Sequence, residues 1–349
     1  MKNKRKVIDL FCGAGGLTLG FEKQNFESVL AIDMWNNAID TFNNNRKDKV
    51  GVVKDIAEVD EKFIKNYVNE HVSGVIGGPP CQGFSLAGRR SEDDERNKLY
   101  QEYFKTLSII NPDFFVIENV TGILSMKNGA VKEDIIKRAK EIGYNVYLDK
   151  LVASDYGVPQ NRVRVFFVGI KEELDKGTFK FPKKFNYKVT CEEAISDLPS
   201  LDNNDDPTKY ISEPTSNYQK EMRKHSTGVY NHEQTSHTEE TKKLISYVPQ
   251  GGSIKDLPDK LKGNRKYSSL LRRMNSKSQS NTIDTGHRTY FHYQENRILS
   301  VREAARIQSF PDDYIFSGSK VNQYKQVGNA VPPLLAEQVA KAIAKYLYE

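Results

Sequence analysis

Lys6-Val7-Ile8-Asp9-Leu10-Phe11-Cys12-Gly13-Ala14-Gly15-Gly16 is a short apolar run that ends in glycines and leads into a helical pattern. Glycines at a strand-to-helix turn let backbone approach a bound ligand closely, because no Cβ stands in the way. The spacing is not G-x-G-x-x-G, and a plain tight turn is the alternative reading. Six further β-branched or apolar runs follow: Ser28 to Asp33, Gly51 to Asp55, Gly74 to Gly77, Asp113 to Asn119, Asn145 to Ala153 and Val163 to Ile170. Helical patterns lie between most of them. Strands separated by helices predict an α/β chain with a doubly wound, mostly parallel sheet. Ligands of such sheets sit at the carboxyl ends of the strands, so the residues just after each strand matter most.

Asp33 ends the second strand 17 residues beyond Gly16, where its carboxylate is expected to accept hydrogen bonds from both hydroxyls of a ribose. Asp55 and Ile56, closing the third, are placed to reach an adenine amino group and cover its face. Together these strand ends describe an adenosine site, for NAD or for S-adenosylmethionine. The fourth strand runs into Gly77-Gly78-Pro79-Pro80-Cys81-Gln82-Gly83-Phe84-Ser85. Two prolines stiffen this loop and present one cysteine at the catalytic edge, which reads as a positioned nucleophile. A free thiol has a pKa of ~8.5, so Cys81 needs a positive group or helix terminus nearby to be activated. The fifth strand delivers Glu118-Asn119-Val120 to the same edge, where desolvation favours a protonated carboxyl able to donate. Arg162 and Arg164, in Gln160-Asn161-Arg162-Val163-Arg164, add charged donors.

The 349 residues suffice for about two domains. Lys and Arg number 52 against 46 Asp and Glu, a mildly basic +6, and hydrophobic residues make up 38%, an ordinary share for a folded chain. No apolar run approaches the ~18 residues of a spanning helix, and the basic start leads straight into a strand, so a soluble, cytoplasmic chain without membrane contact is expected. Cys12, Cys81 and Cys191 are too scattered for a disulfide framework, and no spacing of His or Cys suggests a metal. From Phe181 to Asn296 polar residues accumulate and long apolar runs vanish. Within it, Lys255 to Arg288 holds nine Lys or Arg against three Asp, a charge equal to that of the whole chain and suited to a polyanion. Beyond it, Ser300 to Gln308 reads as a short helix. Gly328 to Pro333 reads as a turn that opens a final helix, expected to pack on the first domain.

The blocks Asp9 to Gly16, Gly77 to Ser85, Glu118 to Val120, Gln160 to Arg164, Arg297 to Pro311 and Gln326 to Ala330, in this order, resemble the cytosine DNA methyltransferases that methylate carbon 5, of the bacterial restriction-modification type. The resemblance covers nearly the whole chain except about 175 to 290. It implies the S-adenosylmethionine-dependent methyltransferase fold, with a catalytic cofactor-binding domain over 1–185 and 320–349. A smaller, irregular target-recognition domain and hinge would span 186–319. It implies methyl transfer from S-adenosyl-L-methionine, leaving S-adenosyl-L-homocysteine, to carbon 5 of a cytosine flipped out of double-stranded DNA. Cys81 is then the nucleophile at carbon 6, Glu118 holds ring nitrogen N3, and Arg164, with Arg162 beside it, holds the base oxygen. Cofactor contacts carried over residue by residue are Phe11, Gly13, Gly15, Gly16, Leu17, Asp33, Met34, Asp55, Ile56, Pro79, Leu99, Asn329 and Ala330. Many relatives place Trp directly after the acidic residue of the second strand; here Met34 does so, and Trp35 is expected in the core.

Ser85, Arg89, Arg90 and Arg96 follow the nucleophile and are expected to close over DNA, while Arg272 and Arg273 are expected to touch it from the variable region. A cognate restriction endonuclease acting on the same site is an implied partner, and a monomer suits an asymmetric base-flipping site. Three other readings compete. A tRNA cytosine-5 methyltransferase accounts less well for the basic insert. A catalytically silent DNA-binding protein predicts a broken Pro-Pro-Cys or Glu-Asn-Val block, and both are intact. An NAD-dependent oxidoreductase leaves Cys81 and Glu118 without a role.

Overall fold

The computed structural model describes residues 4–80, 99–203, 205–262, 271–286 and 289–349. Cys81, Ser85, Arg89, Arg90 and Arg96 lie outside the described residues. Seven strands form one sheet: β1 (Arg5–Leu10), β2 (Phe26–Asp33), β3 (Gly51–Val53), β4 (Gly74–Gly77), β5 (Phe114–Asn119), β6 (Tyr144–Val152) and β7 (Val163–Lys171). Their order is β3-β2-β1-β4-β5-β7-β6. β1 to β5 run parallel, whereas β7 runs antiparallel to both β5 and β6. β4 and β5 are buried at every position, as strands covered on both faces must be, which is why β4 and the Phe114 to Ile117 part of β5 carry no polar side chain. The seven strands stand where the sequence pattern places them, to within two residues at each end.

Strand order reverses between β1 and β4, and at such a switch point the loops after neighbouring strands diverge and leave a crevice. The glycine turn emerges there from β1 and the Pro79-Pro80 loop from β4. Helices α1 (Gly16–Glu22), α2 (Asn36–Asn44), α3 (Glu61–Tyr67), α4 (Leu99–Ile110) and α5 (Ala130–Glu141) connect the strands. The C-terminal helix Pro333–Tyr348 lies so close to α1 that a Cβ on Gly20 would stand 2.4 Å from that of Ala336. Tyr348 donates to Asp113 at 2.9 Å, tying the end of that helix to the start of β5. The larger core cluster joins Ile8, Leu30, Val75, Phe115, Ile117 and Phe167 of the sheet to Tyr103, Phe104 and Leu107 of α4 and Ile135 of α5.

The chain forms two compact units, 1–152 with 163–184 and 333–349, and 153–162 with 185–332. The second holds short helices, five of which are opened by a Ser or Thr whose side chain accepts an otherwise unpaired backbone N–H: Thr190, Ser216, Thr238, Ser300 and Ser319. A two-stranded parallel ladder pairs β8 (Arg272–Arg273) with β9 (Tyr290–Phe291). Its interior carries ion pairs as well as apolar side chains. Arg306 bridges Asp197 and Asp312, and Arg297 forks onto Glu303 at 2.8 and 2.7 Å, holding that buried carboxyl far below the ordinary range. Gly328 and Asn329 belong to the helix Lys320–Asn329, which corrects the expected turn. The glycine is needed for close packing, since a Cβ there would stand 2.1 Å from the Asp284 carbonyl oxygen.

No helix among the described residues is long and apolar enough to cross a membrane.

Candidate active site

The turn after β1 is built on left-handed backbone. Phe11 (φ 65°), Gly13 (φ 51°) and Gly15 (φ 82°) all have positive φ, and for a bulky residue such as Phe11 this is strain of the kind that functional turns retain. Asp33 holds the turn from the neighbouring strand: Gly13 N donates to Oδ2 and Trp35 N to Oδ1, each at 2.8 Å. One carboxylate thereby fixes both loops that leave β1 and β2. Burial raises its pKa while these backbone donors pull it back down. Trp35 is half-buried at the start of α2, not in the core as expected. Met34 projects outward beside it at 65% exposure.

Several features of this turn suit an adenosine cofactor. No described atom comes within 4 Å of where a Cβ on Gly13 would stand, so the backbone is open to approach. Leu17 is buried in the first turn of α1, where its backbone N–H, not its side chain, is what it offers to a ligand. Asp55 caps a short turn by accepting from Ala57 N at 2.9 Å, and Ile56 beside it is buried. Leu99 opens α4 half-buried. Beneath the turn, Asp9 is fully buried. Its Oδ2 accepts from the Thr18 hydroxyl, its Oδ1 has no partner among the described residues, and desolvation pushes its pKa up to about 7. Asn329 and Ala330 belong to the second unit, Asn329 exposed and Ala330 half-buried.

At the end of β5, Glu118 Oε1 lies 3.0 Å from Arg164 Nε, and both side chains are nearly sequestered from water. Glu118 Oε2 lies against the loop that leads to Cys81, 3.1 Å from where a Cβ on Gly78 would be. The next residue anchors the same loop: Asn119 Nδ2 donates to the Pro79 carbonyl at 2.9 Å. Asn119 was quoted in a sequence block without a role, and only its place at a strand end could have suggested one. A carboxylate, a guanidinium and the Gly78-Pro79 backbone are thus gathered at one sheet edge. The carboxylate and the guanidinium can hydrogen-bond a planar heterocycle at two points.

Two arginines expected at the site spend donors within the chain. Arg162 is 1% exposed and belongs to the second unit, where Nη1 donates to the Ile283 carbonyl at 3.1 Å and Nη2 to that of Gly328 at 2.9 Å. It braces two segments, and its buried Nε has no hydrogen-bond partner among the described residues. Arg273 is 6% exposed, and all five of its N–H groups are spent on the carbonyls of Val248, His292, Glu295 and Ile245 and on Asn296 Oδ1. It has no donor left for DNA. Arg272, one residue earlier on the other face of the ladder, is half-buried, and its buried Nε has no hydrogen-bond partner among the described residues.

Comparison with known proteins agrees with this geometry. The family described as C-5 cytosine-specific DNA methylase matches residues 5–345. The chain is 39% identical to the type II methyltransferase M.DdeI of Desulfomicrobium norvegicum, covering 97% of this chain and 88% of that one. It is 36% identical to the type II methyltransferase M1.HphI of Haemophilus parahaemolyticus, covering 97% and 86%. Among solved structures, a candidate DNA modification methyltransferase encoded within an E. coli prophage superposes with a TM-score of 0.82 at 27% identity, over 99% of this chain and 100% of that one. Sheet order, the Glu118–Arg164 pair beside the Gly78-Pro79 backbone and the near-complete match lead to one conclusion: the chain belongs to the C-5 cytosine-specific DNA methylase family.

Proposed function

We propose that the chain methylates carbon 5 of one cytosine within a short double-stranded DNA site, using S-adenosyl-L-methionine and covalent activation by Cys81. As a member of its family it is a DNA cytosine-5 methyltransferase. The observation that carries the finer reading is the Glu118 carboxylate, clamped by Arg164 and lying against Gly78 of the loop that continues to Cys81. When bound, S-adenosylmethionine supplies a methyl group on a positively charged sulfur and leaves as S-adenosylhomocysteine. Phe11, Gly13, Gly15, Gly16, Asp33, Met34, Asp55 and Ile56 would hold it.

Carbon 5 of cytosine is a poor nucleophile until the ring is activated. The Cys81 thiolate forms a bond to carbon 6, the C5–C6 π pair moves to C4–C5, and the C4–N3 pair moves onto N3. Glu118 accommodates that pair by giving N3 a proton or hydrogen bond, and Arg164 holds the neighbouring base oxygen while keeping Glu118 in place. Carbon 5, now an enamine carbon, forms the new bond to methyl. Loss of its proton to water then re-forms the C5–C6 double bond and expels the Cys81 thiolate, and N3 returns its proton to Glu118. Rotating the base out of the duplex costs a few kcal/mol, which phosphate contacts must offset. We assign target recognition to the second unit, with Arg272 as a DNA contact, and expect the chain to act as a monomer by light scattering. A cognate endonuclease is expected to share the site, tested by the resistance of methylated DNA to cleavage.

The test of the reaction is bisulfite sequencing of DNA from a methylation-free host expressing the protein, beside Cys81→Ser. Protected cytosines confined to one short motif, lost in the variant while donor binding persists, are the expected result. No protection by a folded, donor-binding wild type overturns it.

A further inference from the structure

A side-chain group behind the glycine turn has no part in the chemistry above. Gly15, with φ 82°, is the residue on which α1 begins, and no side chain caps that helix end. The position is filled from behind instead. A Cβ on Gly15 would stand 2.7 Å from Phe42 Cδ2 and 3.1 Å from Arg46 Nη1. Arg46 lies flat on Phe42, its Cζ 3.8 Å from the ring centroid, and its Nη1 donates to the Phe42 carbonyl at 3.0 Å. Its other edge forks onto Glu22, the last residue of α1, with Nε to Oε1 and Nη2 to Oε2 both at 3.0 Å. The Arg46 side chain is 9% exposed and that of Glu22 27%, so the bidentate pair is shielded from the arginine side. At the buried Asp9 the Arg46 charge acts against those of Asp33 and Glu22, lowering the pKa that they raise.

We infer that Arg46 is a positioning residue for the methyl donor: forked onto Glu22 and stacked on Phe42, it holds that ring against Gly15 and fixes the backbone of the turn that receives the cofactor. The inference rests on the reading of this turn as the cofactor site. Arg46 touches no ligand; it removes the freedom of α1 and α2 to shift around the turn. Lysine cannot replace it, because an ammonium neither stacks flat nor forks.

The experiment is direct titration of the full-length protein with S-adenosylmethionine, comparing wild type, Arg46→Met, Arg46→Lys and Glu22→Gln, each well below its own melting temperature. Arg46→Met is expected to raise the donor Kd about tenfold, with a smaller effect on kcat at saturating donor and none on DNA binding without donor. Arg46→Lys is expected to recover less than half of the loss. A merely structural brace would lower the melting temperature and leave the donor Kd within about twofold of wild type, and that result overturns the inference. Should Arg46→Met not fold, Glu22→Gln keeps the stacking and loses the ionic fork; a Kd raised about threefold supports the inference and an unchanged one overturns it. Wild type that does not bind the donor overturns the reading of the turn, and this inference with it.

Discussion

Glu118 and Arg164 meet head to head, Oε1 to Nε at 3.0 Å, although 45 residues separate them in the chain. Glu118 is near the end of β5 and Arg164 near the start of β7. Only antiparallel pairing, with Glu118 opposite Phe166 and Asn119 opposite Val165, sets the end of one strand beside the start of the other. Had β7 joined parallel, the guanidinium would stand at the opposite edge. Burial has an energetic consequence as well: it depresses the Arg164 pKa and the Glu118 charge raises it again, so each ion makes the other tolerable.

Glu118→Gln keeps the shape of the side chain and one acceptor for Arg164 but removes the acid. We expect kcat for methyl incorporation into DNA to fall about 100-fold or more, with the donor Kd within about twofold of wild type. A loss of less than about threefold would remove Glu118 from the reaction.

Adjacent arginines are expected to behave oppositely. Arg273→Ala strips hydrogen bonds from buried carbonyls and is expected to destabilise the chain by about 2–4 kcal/mol in urea unfolding. Arg272→Ala is expected to leave stability within about 1 kcal/mol, weaken DNA binding and make the salt dependence shallower by about one charge. Equal stability losses would show that both are structural.

Asp9 titrates at about 7 in the folded chain because it is buried, against an ordinary 3.8. Between the two values the folded state keeps a proton that the unfolded state has released. Stability contributed by the neutral carboxyl is therefore lost as pH rises through this window and levels off above it. The groups acting on Asp9 are Thr18, Arg46, Asp33 and Glu22. Relative to Asp9→Asn, wild type is expected to lose up to roughly 3 kcal/mol between about pH 5 and pH 8, measured by urea unfolding. Parallel pH profiles for the two proteins would refute the assignment.

Gly328→Ala provides a test by sign. In an open helix interior, alanine is preferred to glycine by about 1 kcal/mol. Here the added Cβ meets the Asp284 carbonyl at 2.1 Å, so the substitution is expected to destabilise by about 2 kcal/mol or more. A rise in melting temperature would contradict the packing of that helix.

Local pattern by itself determined much of this protein. Val7, Ile8, Val75, Phe115 and Ile117 mark strands because fully buried strands require apolar residues, and the glycines at 13 and 15 mark the turn because its φ values are positive. Glu118 was legible as a carboxylate at a strand's end. Tertiary structure alone decided which charged side chains have work left to do. Arg273 read as a free cation beside Arg272, yet its five donors reach residues 245, 248, 292, 295 and 296. Arg162 and Arg164 stand two residues apart, and one braces the second unit while the other pairs with Glu118. Arg46 carries no motif at all. Strand and helix patterns arise from neighbours a few residues away and are written locally. The partners of a long cation are carbonyls and carboxylates brought in from distant segments, so its role is fixed only when the chain has folded around it.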